Sequence, residues 1–219
     1  MATDVYLIRH GQTDWNRDRI CMGQSDIPLN ALGRAQARLA AQRLRDHPIS
    51  HIYSSDLTRT VETARPLSQA LGLKIWTDAG FRELDYGDWQ GIPQDELPQR
   101  YPEAFRKDLR LNPLNFHPDG GERVHDLYER VTAAFEQIVD DHPEASVAIV
   151  AHGGVVRCLA NEVLGRGAYA SAEIFYSLGF AVSNGGITLV HVSDAETPQL
   201  IYLNDTCHLA SLSESSAAA

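Results

Sequence analysis

The segments VYLIRHG at residues 5–11 and VAIVAHGG at residues 147–154 decide the fold of this chain. Each is a short apolar run rich in β-branched residues, as expected for a buried strand, and each ends in histidine and glycine. Glycine lets the backbone turn sharply and approach a ligand. Open α/β sheets collect their functional residues beyond the carboxyl ends of their strands. We therefore expect His10 and His152 to face the same crevice.

Outside these segments, short β-branched runs alternate with longer stretches of helical period, which is typical of an α/β fold. Further strands are predicted at residues 51–53, 74–76, 187–192 and 200–203. Three apolar stripes predict helices that pack on the sheet. The stripes comprise Leu32, Ala35 and Leu39; Leu57, Val61, Ala64 and Leu71; and Val124, Leu127, Tyr128, Val131, Phe135 and Ile138. The prediction is a three-layer α/β/α sandwich around a mostly parallel sheet.

Local signals add boundaries to this outline. Asn30 and Asp56 stand where helix N-caps are expected, and Gly72 stands where a helix would end on a left-handed residue. Residues 87–118 contain five prolines among short polar and aromatic pieces, which favour neither a long helix nor a central strand. We interpret these residues as an excursion from the sheet and as a candidate lid.

Length and composition predict one domain at residues 1–210 and a disordered tail at residues 211–219, since the 219 residues contain no linker-like stretch. The formal charge of -10 argues against sequence-independent binding to nucleic acid or anionic membranes. No apolar stretch could span a bilayer and no leader peptide is evident, so we expect a cytoplasmic protein. We expect a small-molecule partner, and a homodimer is a hypothesis without support in the sequence.

Charged residues near the two histidines point to phosphate chemistry. Arg9 stands beside the first histidine and Arg59 lies near the start of a predicted helix, and guanidinium groups suit phosphate oxygens. Gly153 and Gly154 open a further predicted helix, whose N-terminal amides favour an anion. Glu83 cannot be told from a surface carboxylate by its neighbours alone. The residues therefore indicate an anion site, with no assigned acid.

Five ordered motifs extend this interpretation to most of the chain. They are Arg9-His10-Gly11-Gln12-Thr13 with Trp15-Asn16; Ser54-Ser55 with Arg59 and Thr63-Ala64; Glu83 with Gly87 and Trp89-Gln90-Gly91; Gly120-Gly121-Glu122; and His152-Gly153-Gly154. Together they resemble the histidine phosphatase superfamily, which includes the phosphoglycerate mutases. The resemblance runs from about residue 5 to residue 209, and five motifs in order are far more specific than any one of them.

The resemblance implies a role for each site residue. His10 would be the nucleophile and form a phosphohistidine, while a backbone carbonyl fixes the tautomer of its ring. Glu83 would protonate the leaving oxygen and then take a proton from water. The phosphoryl oxygens would be bound by Arg9, Asn16, Arg59, His152 and Gly153, of which Arg9, Arg59 and His152 would also be catalytic. No metal and no other cofactor is implied, and the substrate would be a small phosphorylated metabolite.

Three other functions compete with a phosphomonoesterase. A zinc hydrolase could use His10, His152 and His191 as ligands, although no HxH or HExxH spacing is present and Arg9 would repel the cation. A noncatalytic phosphate-binding protein could share the fold, although every principal residue is of the type that the chemistry needs. Within the superfamily, the alternative is cofactor-dependent phosphoglycerate mutase chemistry.

Hydrolysis is favoured over mutase chemistry by the segment after Glu83. Mutases of the superfamily have an Arg-His pair where this chain has Leu84 and Asp85, so fewer cations are available for a second phosphate or carboxylate. Arg123 departs from the serine that often follows Gly-Gly-Glu in the family, and His208 is expected at the rim of the site. The substrate stays open among α-ribazole phosphate, phosphoserine, phosphosugars, phosphoglycerate and a broad range. Aromatic residues either wall the site or pack together: Trp15, Tyr86, Trp89, Tyr101, Phe105 and Phe116.

Overall fold

The computed structural model describes residues 2–105, 117–164, 180–193 and 198–212. Its strands are β1 (Ala2–Arg9), β2 (Ile49–Ser54), β3 (Ile75–Thr77), β4 (Ser146–Ala151), β5 (Ile187–Ser193) and β6 (Gln199–Asp205). Its helices are α1 (Asp14–Arg17), α2 (Ala31–Leu44), α3 (Thr58–Leu71), α4 (Leu97–Arg100), α5 (Val124–Asp141) and α6 (Gly153–Leu164). All six predicted strands and all four predicted helices are present.

The six strands form one sheet in the order β3-β2-β4-β1-β5-β6. Neighbours among β3, β2, β4 and β1 are parallel, whereas β5 and β6 pair in antiparallel fashion. The sheet is therefore mixed and mostly parallel, as predicted. Arg9 pairs with Ala151 at the carboxyl ends of β1 and β4. The residues that follow them, His10 and His152, consequently leave the sheet side by side.

Alternation along the strands divides the apolar core between the two faces of the sheet. Val5 and Leu7 of β1 belong to a cluster formed with α5 and α6. Tyr6 and Ile8 of the same strand belong to a second cluster, formed with α2 and α3. Every residue of β4 is buried because helices cover both of its faces. This is the predicted three-layer arrangement.

The buried face of α2 differs from the predicted stripe. Leu32 is exposed, whereas the buried apolar residues are Ala37, Ala40, Ala41 and Leu44. Three of these four residues are alanines, whose small side chains give a weaker hydrophobic signal in sequence than leucine does. The prediction followed the larger side chains and was therefore wrong about the face that α2 presents to the core.

Two of the three predicted caps are confirmed. The Asn30 side chain caps α2, and Gly72 ends α3 in the left-handed region with φ 69°. Asp56 does not cap α3, because its carboxylate is bound instead by an arginine side chain from another segment. The N–H of Thr58 in the first turn of α3 donates to Asp26 Oδ1 at 2.7 Å. A side chain from a distant loop therefore caps the N-terminus of α3 in place of the adjacent residue.

Residues 87–105 leave the sheet, as predicted, and pack on themselves. Trp89 is buried there and stacks on Phe105 with ring centroids 5.4 Å apart. A β-bridge between Ile20 and Pro93 fixes the excursion to the loop after α1. Aromatic residues in this part of the chain are therefore mainly packing residues.

Several predictions fall partly outside the described ranges. Residues 106–116, which include Phe116, complete the predicted excursion, and the lid stays a prediction. Residues 211 and 212 of the predicted tail continue a helical turn, and residues 213–219 lie outside the description. The single domain also stays a prediction. None of the helices within the described ranges is long and apolar enough to cross a membrane.

Candidate active site

The carboxyl ends of β1 and β4 and the start of α6 border a cavity of about 210 Å³. His10 donates its backbone N–H to the carbonyl of Ala151 at 2.9 Å, and its ring centroid lies 5.2 Å from that of His152. The cavity is lined by Arg9, His10, Asn16, Ile20, Met22, Gly23, Arg59, Glu83, Tyr86, Gln94, Gly153 and Arg157. Six of the seven predicted site residues therefore line one cavity, and His152 is fully buried next to His10.

The tautomer of His10 follows from its hydrogen bond. Nδ1 lies 2.7 Å from the carbonyl oxygen of Gly11, and a carbonyl can only accept. Nδ1 therefore carries the proton, and Nε2 keeps its lone pair. Burial lowers the pKa of His10 well below its usual 6.5, and the nearby charges of Arg59 and Arg9 lower it further. A neutral ring with a free Nε2 is the form that a nucleophile requires.

Arg59 is fixed from three directions and is 1% exposed. Its Nη1 and Nη2 donate to the carbonyls of Ser25 and Gly23, each at 2.7 Å. Its Nε donates to Nδ1 of His152 at 3.3 Å, so the proton of the neutral His152 ring is on Nε2. Burial lowers the pKa of Arg59 to about 10, which leaves the guanidinium charged at neutral pH. Burial also lowers the pKa of His152 well below its usual value, and the charge of Arg59 lowers it further.

Two buried donors at this site have no protein partner among the described residues. They are Nε of Arg9 and Nε2 of His152. The Arg9 guanidinium is itself held by a bond from Nη1 to the carbonyl of Val182. Leaving a buried donor unsatisfied costs about 1–3 kcal/mol. Both groups therefore favour a ligand that accepts hydrogen bonds, and an anion satisfies this requirement best.

Asn16 is oriented by its neighbours. Its Oδ1 accepts from the backbone N–H of Thr13 at 3.1 Å and from Nδ2 of Asn184 at 3.2 Å. The carbonyl side of the amide is therefore occupied, which leaves the NH₂ group as the donor for a ligand. Asn184 also donates to the backbone carbonyl of His10 at 3.0 Å. Asn184 lies outside all five motifs and was not predicted as a site residue.

Glu83 reaches the N-terminus of α6. Its Oε2 accepts the backbone N–H of Gly154 at 3.0 Å, and its Oε1 accepts that of Leu84 at 2.9 Å. The anion predicted at the start of this helix is thus the Glu83 carboxylate in this structure. A Cβ on Gly154 would overlap Oε1 of Glu83. Glycine at this position therefore makes room for the carboxylate.

Gly11 has a different role from the one predicted. A Cβ on Gly11 would overlap the backbone carbonyl of Gly33, in the first turn of α2. The N–H of Gly11 donates to Oγ1 of Thr63 in α3 at 3.0 Å. The glycine thus allows the turn after His10 to pack closely against α2, and approach to a ligand is not the reason for it.

The outer part of the cavity contains residues that were not predicted from the sequence. Arg157 is exposed and lies four residues after Gly153, on the same side of α6 one turn further along. That spacing was the available signal for Arg157. Gln94 comes from the excursion, for which no signal existed. Among the described aromatic residues considered above, Tyr86 lines the cavity.

The structure separates the three histidines of the zinc hypothesis. Nδ1 of His191 lies 2.7 Å from Oδ1 of Asp4, the residue with which His191 pairs across β5 and β1. Asp4 precedes His10 by six residues, which is about 20 Å along an extended strand. His191 therefore cannot share an ion with His10 and His152, and that ligand set is wrong.

Neither His208 nor Arg123 lines the cavity. His208 donates from Nε2 to the carbonyl of Gly185 at 3.0 Å, and its position at the rim stays a prediction. Its link to the site is indirect, because the N–H of Gly185 donates to the carbonyl of Arg9 at 3.0 Å. Arg123 precedes α5 and binds both carboxylate oxygens of Asp126, at 2.7 and 2.8 Å. Its departure from the family pattern therefore does not alter the described cavity.

Known protein families and structures resemble this chain over the part that contains the cavity. The family model described as histidine phosphatase superfamily (branch 1) matches residues 5–206. This range includes every residue that lines the cavity.

Some similar proteins have names that refer to phosphoglycerate mutases, and others have names that refer to phosphatases. Phosphoglycerate mutase-like protein 4 of Arabidopsis thaliana is 41% identical over 159 residues, which cover 71% of this chain and 69% of the relative. The probable phosphoglycerate mutase GpmB of Salmonella choleraesuis is 38% identical over 170 residues, which cover 78% and 79%. The structure of a mycobacterial glucosyl-3-phosphoglycerate phosphatase is 31% identical, with a TM-score of 0.81 over 93% of this chain and 99% of that one.

Proposed function

Because the chain belongs to the histidine phosphatase superfamily, we propose that it is a phosphomonoesterase that acts on a small phosphorylated metabolite. His10 accepts the phosphoryl group as phosphohistidine, and water then removes it. Cationic and neutral donors of the chain stabilise the charge of the transferred group, so the proposed reaction uses neither metal nor other cofactor.

The observation that carries this proposal is the state of His10. Its ring is kept neutral by burial, its Nδ1 proton is held by Gly11, and its Nε2 lone pair is available. Arg9, Arg59 and Glu83 line the same cavity. A nucleophile, two cations and a candidate acid within one cavity support in-line phosphoryl transfer.

The first half-reaction forms the phosphohistidine. Nε2 of His10 attacks phosphorus, the bond from phosphorus to the leaving oxygen breaks, and the carboxyl group of Glu83 gives its proton to that oxygen. Donors on Arg9, Arg59 and Asn16 stabilise the nonbridging oxygens.

The second half-reaction returns the enzyme to its starting state. The Glu83 carboxylate takes a proton from water as that water attacks phosphorus, and the bond from phosphorus to Nε2 of His10 breaks. The products are inorganic phosphate and neutral His10. Two backbone N–H bonds to Glu83, from Leu84 and Gly154, support the carboxylate that this step needs.

Hydrolysis of a monophosphate is supported by the residues that follow Glu83. Leu84 is 5% exposed and packs in the core, and Asp85 accepts the N–H of Gly87 at 2.9 Å. Neither residue adds a cation for a second phosphate. Mutase-type transfer is the alternative, and the names of two relatives favour it. The relatives' names make phosphoglycerate and its glucosyl derivative the first substrates to test.

The proposal is tested by phosphate release from a panel of monoesters in the presence of a chelator. The panel contains 3-phosphoglycerate, phosphoserine, α-ribazole phosphate, sugar phosphates and nucleoside monophosphates. At least one compound should release phosphate at a rate that the chelator does not change. Loss of activity with chelator contradicts the metal-independent mechanism. Conversion of 3-phosphoglycerate to its 2-isomer faster than phosphate release, with acceleration by a bisphosphate primer, supports the mutase alternative.

A further inference from the structure

One guanidinium group uses all of its hydrogen-bonding capacity on Glu122 and on the segment that carries Glu83. Arg130 of α5 donates from Nε and Nη2 to the two carboxylate oxygens of Glu122, at 2.6 and 2.9 Å. Its other bonds go to the backbone carbonyls of Gly80, Arg82 and Glu83, at 2.9, 2.7 and 3.0 Å. These five bonds match the five N–H groups of a guanidinium. Arg130 therefore has no donor left for a substrate.

The segment held by Arg130 has no regular structure of its own. Residues 82–86 belong to no helix or strand, so their backbone groups depend on partners from elsewhere in the fold. Glu122 adds a second attachment, because its backbone N–H donates to the carbonyl of Asp85 at 2.9 Å and its Oε2 accepts the N–H of Asp85 at 3.3 Å. The Arg130–Glu122 pair thus binds the chain on both sides of Glu83.

We propose that Arg130, oriented by Glu122, is the positioning residue that keeps the general acid Glu83 in reach of the leaving oxygen. This inference rests on the proposed function above. With its backbone fixed by Arg130, the Glu83 carboxylate meets the N–H of Gly154 at the edge of the cavity. Lysine cannot replace this arrangement, because an ammonium group has three donors on a flexible stem and lacks the planar fork.

A positioning role predicts a dependence on the leaving group. An alkoxide is a poor leaving group and needs the proton of Glu83 as its bond to phosphorus breaks, whereas p-nitrophenolate leaves without one. Misplacement of a catalytic group by about 1 Å costs about 100-fold in rate. Displacing Glu83 should therefore slow the release of an alcohol far more than the release of p-nitrophenolate.

The experiment compares kcat/KM for p-nitrophenyl phosphate and for the best alkyl monoester of the panel. This parameter covers the steps up to release of the leaving group, so the later hydrolysis of phosphohistidine does not obscure the result. Arg130→Lys should lose about 100-fold with the alkyl ester and less than about 3-fold with p-nitrophenyl phosphate. Arg123→Lys is the matched control, since it breaks an exposed two-point pair with Asp126 on the same helix and should change neither value.

Equal losses with both substrates would overturn the inference, because general weakening of the fold has no leaving-group preference. Glu122→Gln provides a second variant if Arg130→Lys does not fold, and it should show the same preference with a smaller loss. Glu83→Gln tests the general acid separately from the residue that positions it. A leaving-group preference in Glu83→Gln but not in Arg130→Lys refutes the positioning role alone. If Glu83→Gln shows no leaving-group preference, the assignment of Glu83 as the general acid is refuted.

Discussion

The inner and outer parts of the cavity are built in different ways. We define the reaction centre as Arg9, His10, Arg59, Glu83 and His152, and the outer wall as Tyr86, Gln94 and Arg157. Arg9, His10 and His152 of the reaction centre lie at the ends of β1 and β4, Arg59 lies in the first turn of α3, and Glu83 reaches the start of α6 from a segment without regular structure. Backbone groups hold the His10, Arg59 and Glu83 side chains. In the outer wall, Gln94 belongs to the excursion, Tyr86 immediately precedes it, and Arg157 lies in the second turn of α6. Arg157 is exposed.

For the proposed function, this difference predicts which residues control the chemistry and which control substrate specificity. A buried charge or ring needs fixed partners, so the reaction centre tolerates little movement and substitutions there should lower kcat. An exposed arginine interacts with ligand through water-accessible contacts, so substitutions in the outer wall should mainly raise KM. The following predictions test that contrast, beginning with the largest expected effect.

Removal of the nucleophile should have the largest effect. In the proposed mechanism, His10→Ala deletes the atom that accepts the phosphoryl group, so it should lower kcat by on the order of 10⁴-fold or more, as loss of a covalent nucleophile does in other enzymes. Phosphate release and thermal unfolding are measured together, so that a folding defect is recognised. His125→Ala on the exposed face of α5 serves as the control and should keep wild-type activity. Substantial turnover in His10→Ala would contradict the assignment of the nucleophile.

A methyl group beside Glu83 should have the next largest effect. In Gly154→Ala the new Cβ overlaps Oε1 of Glu83, so the carboxylate must move, and kcat/KM for an alkyl ester should fall about 100-fold. Gly153→Ala is the matched comparison, because its Cβ would meet Nε of Arg9 at 3.5 Å, an ordinary contact. Its loss should stay below about 10-fold, since such a contact costs little. Equal losses in the two variants would show that the site of the methyl group is unimportant.

Three residues of the reaction centre, Arg9, His10 and His152, were predictable from sequence because they lie at the ends of regular strands. β1 and β4 are parallel neighbours whose last residues pair, so the residues that follow them, His10 and His152, lie side by side. This placement follows from the general rule that functional residues collect at the carboxyl ends of parallel strands. Glu83 was assigned by family resemblance, since its local sequence shows no sign of the bond to Gly154. The contact depends on how a segment without regular structure is tied to α5, which Arg130 accomplishes from 47 residues away.

The outer wall was not predictable because it, too, depends on contacts between distant segments. Gln94 reaches the cavity because the excursion folds on Trp89 and pairs with the loop after α1, and these contacts have no periodic signature. Alanine-rich packing misled the assignment of the α2 face, and a distant aspartate replaced the expected cap of α3. In each case a long-range contact overrode a local preference.

Buried histidines in the reaction centre should make stability depend on pH. Burial lowers the pKa of both His10 and His152 well below 6.5, so below that pH the unfolded chain binds protons that the folded chain does not. The stability from each neutral ring is present above pH 6.5 and is lost as the pH falls. Between pH 6.5 and 5.0 this loss has an upper limit of about 2 kcal/mol for each histidine, reached when the folded ring binds no proton.

Urea unfolding at pH 7.0 and pH 5.0 measures this dependence. His10→Gln removes one of the two rings, so the decrease in unfolding free energy between these pH values should be smaller than in the wild type, by at most about 2 kcal/mol. The other titrating groups are shared and their contributions cancel in the difference, except that of His152, whose pKa is lowered in part by the neighbouring His10. Equal decreases in the two proteins would mean that His10 titrates in the folded state as it does in the unfolded chain.

The smallest effect should come from the outer wall. Arg157→Met removes a cation that lines the cavity one helical turn beyond Gly153, without touching the donors around His10. For a monoester with a carboxylate, KM should rise about 10-fold, the value of one hydrogen bond to a charged group, while kcat changes less than about 2-fold. Arg157→Lys keeps the charge and should recover part of the affinity, and esters without a carboxylate should respond less to either change. A fall in kcat at constant KM would assign Arg157 to the reaction centre and remove the distinction between the two regions, because the outermost arginine would then act on the transition state.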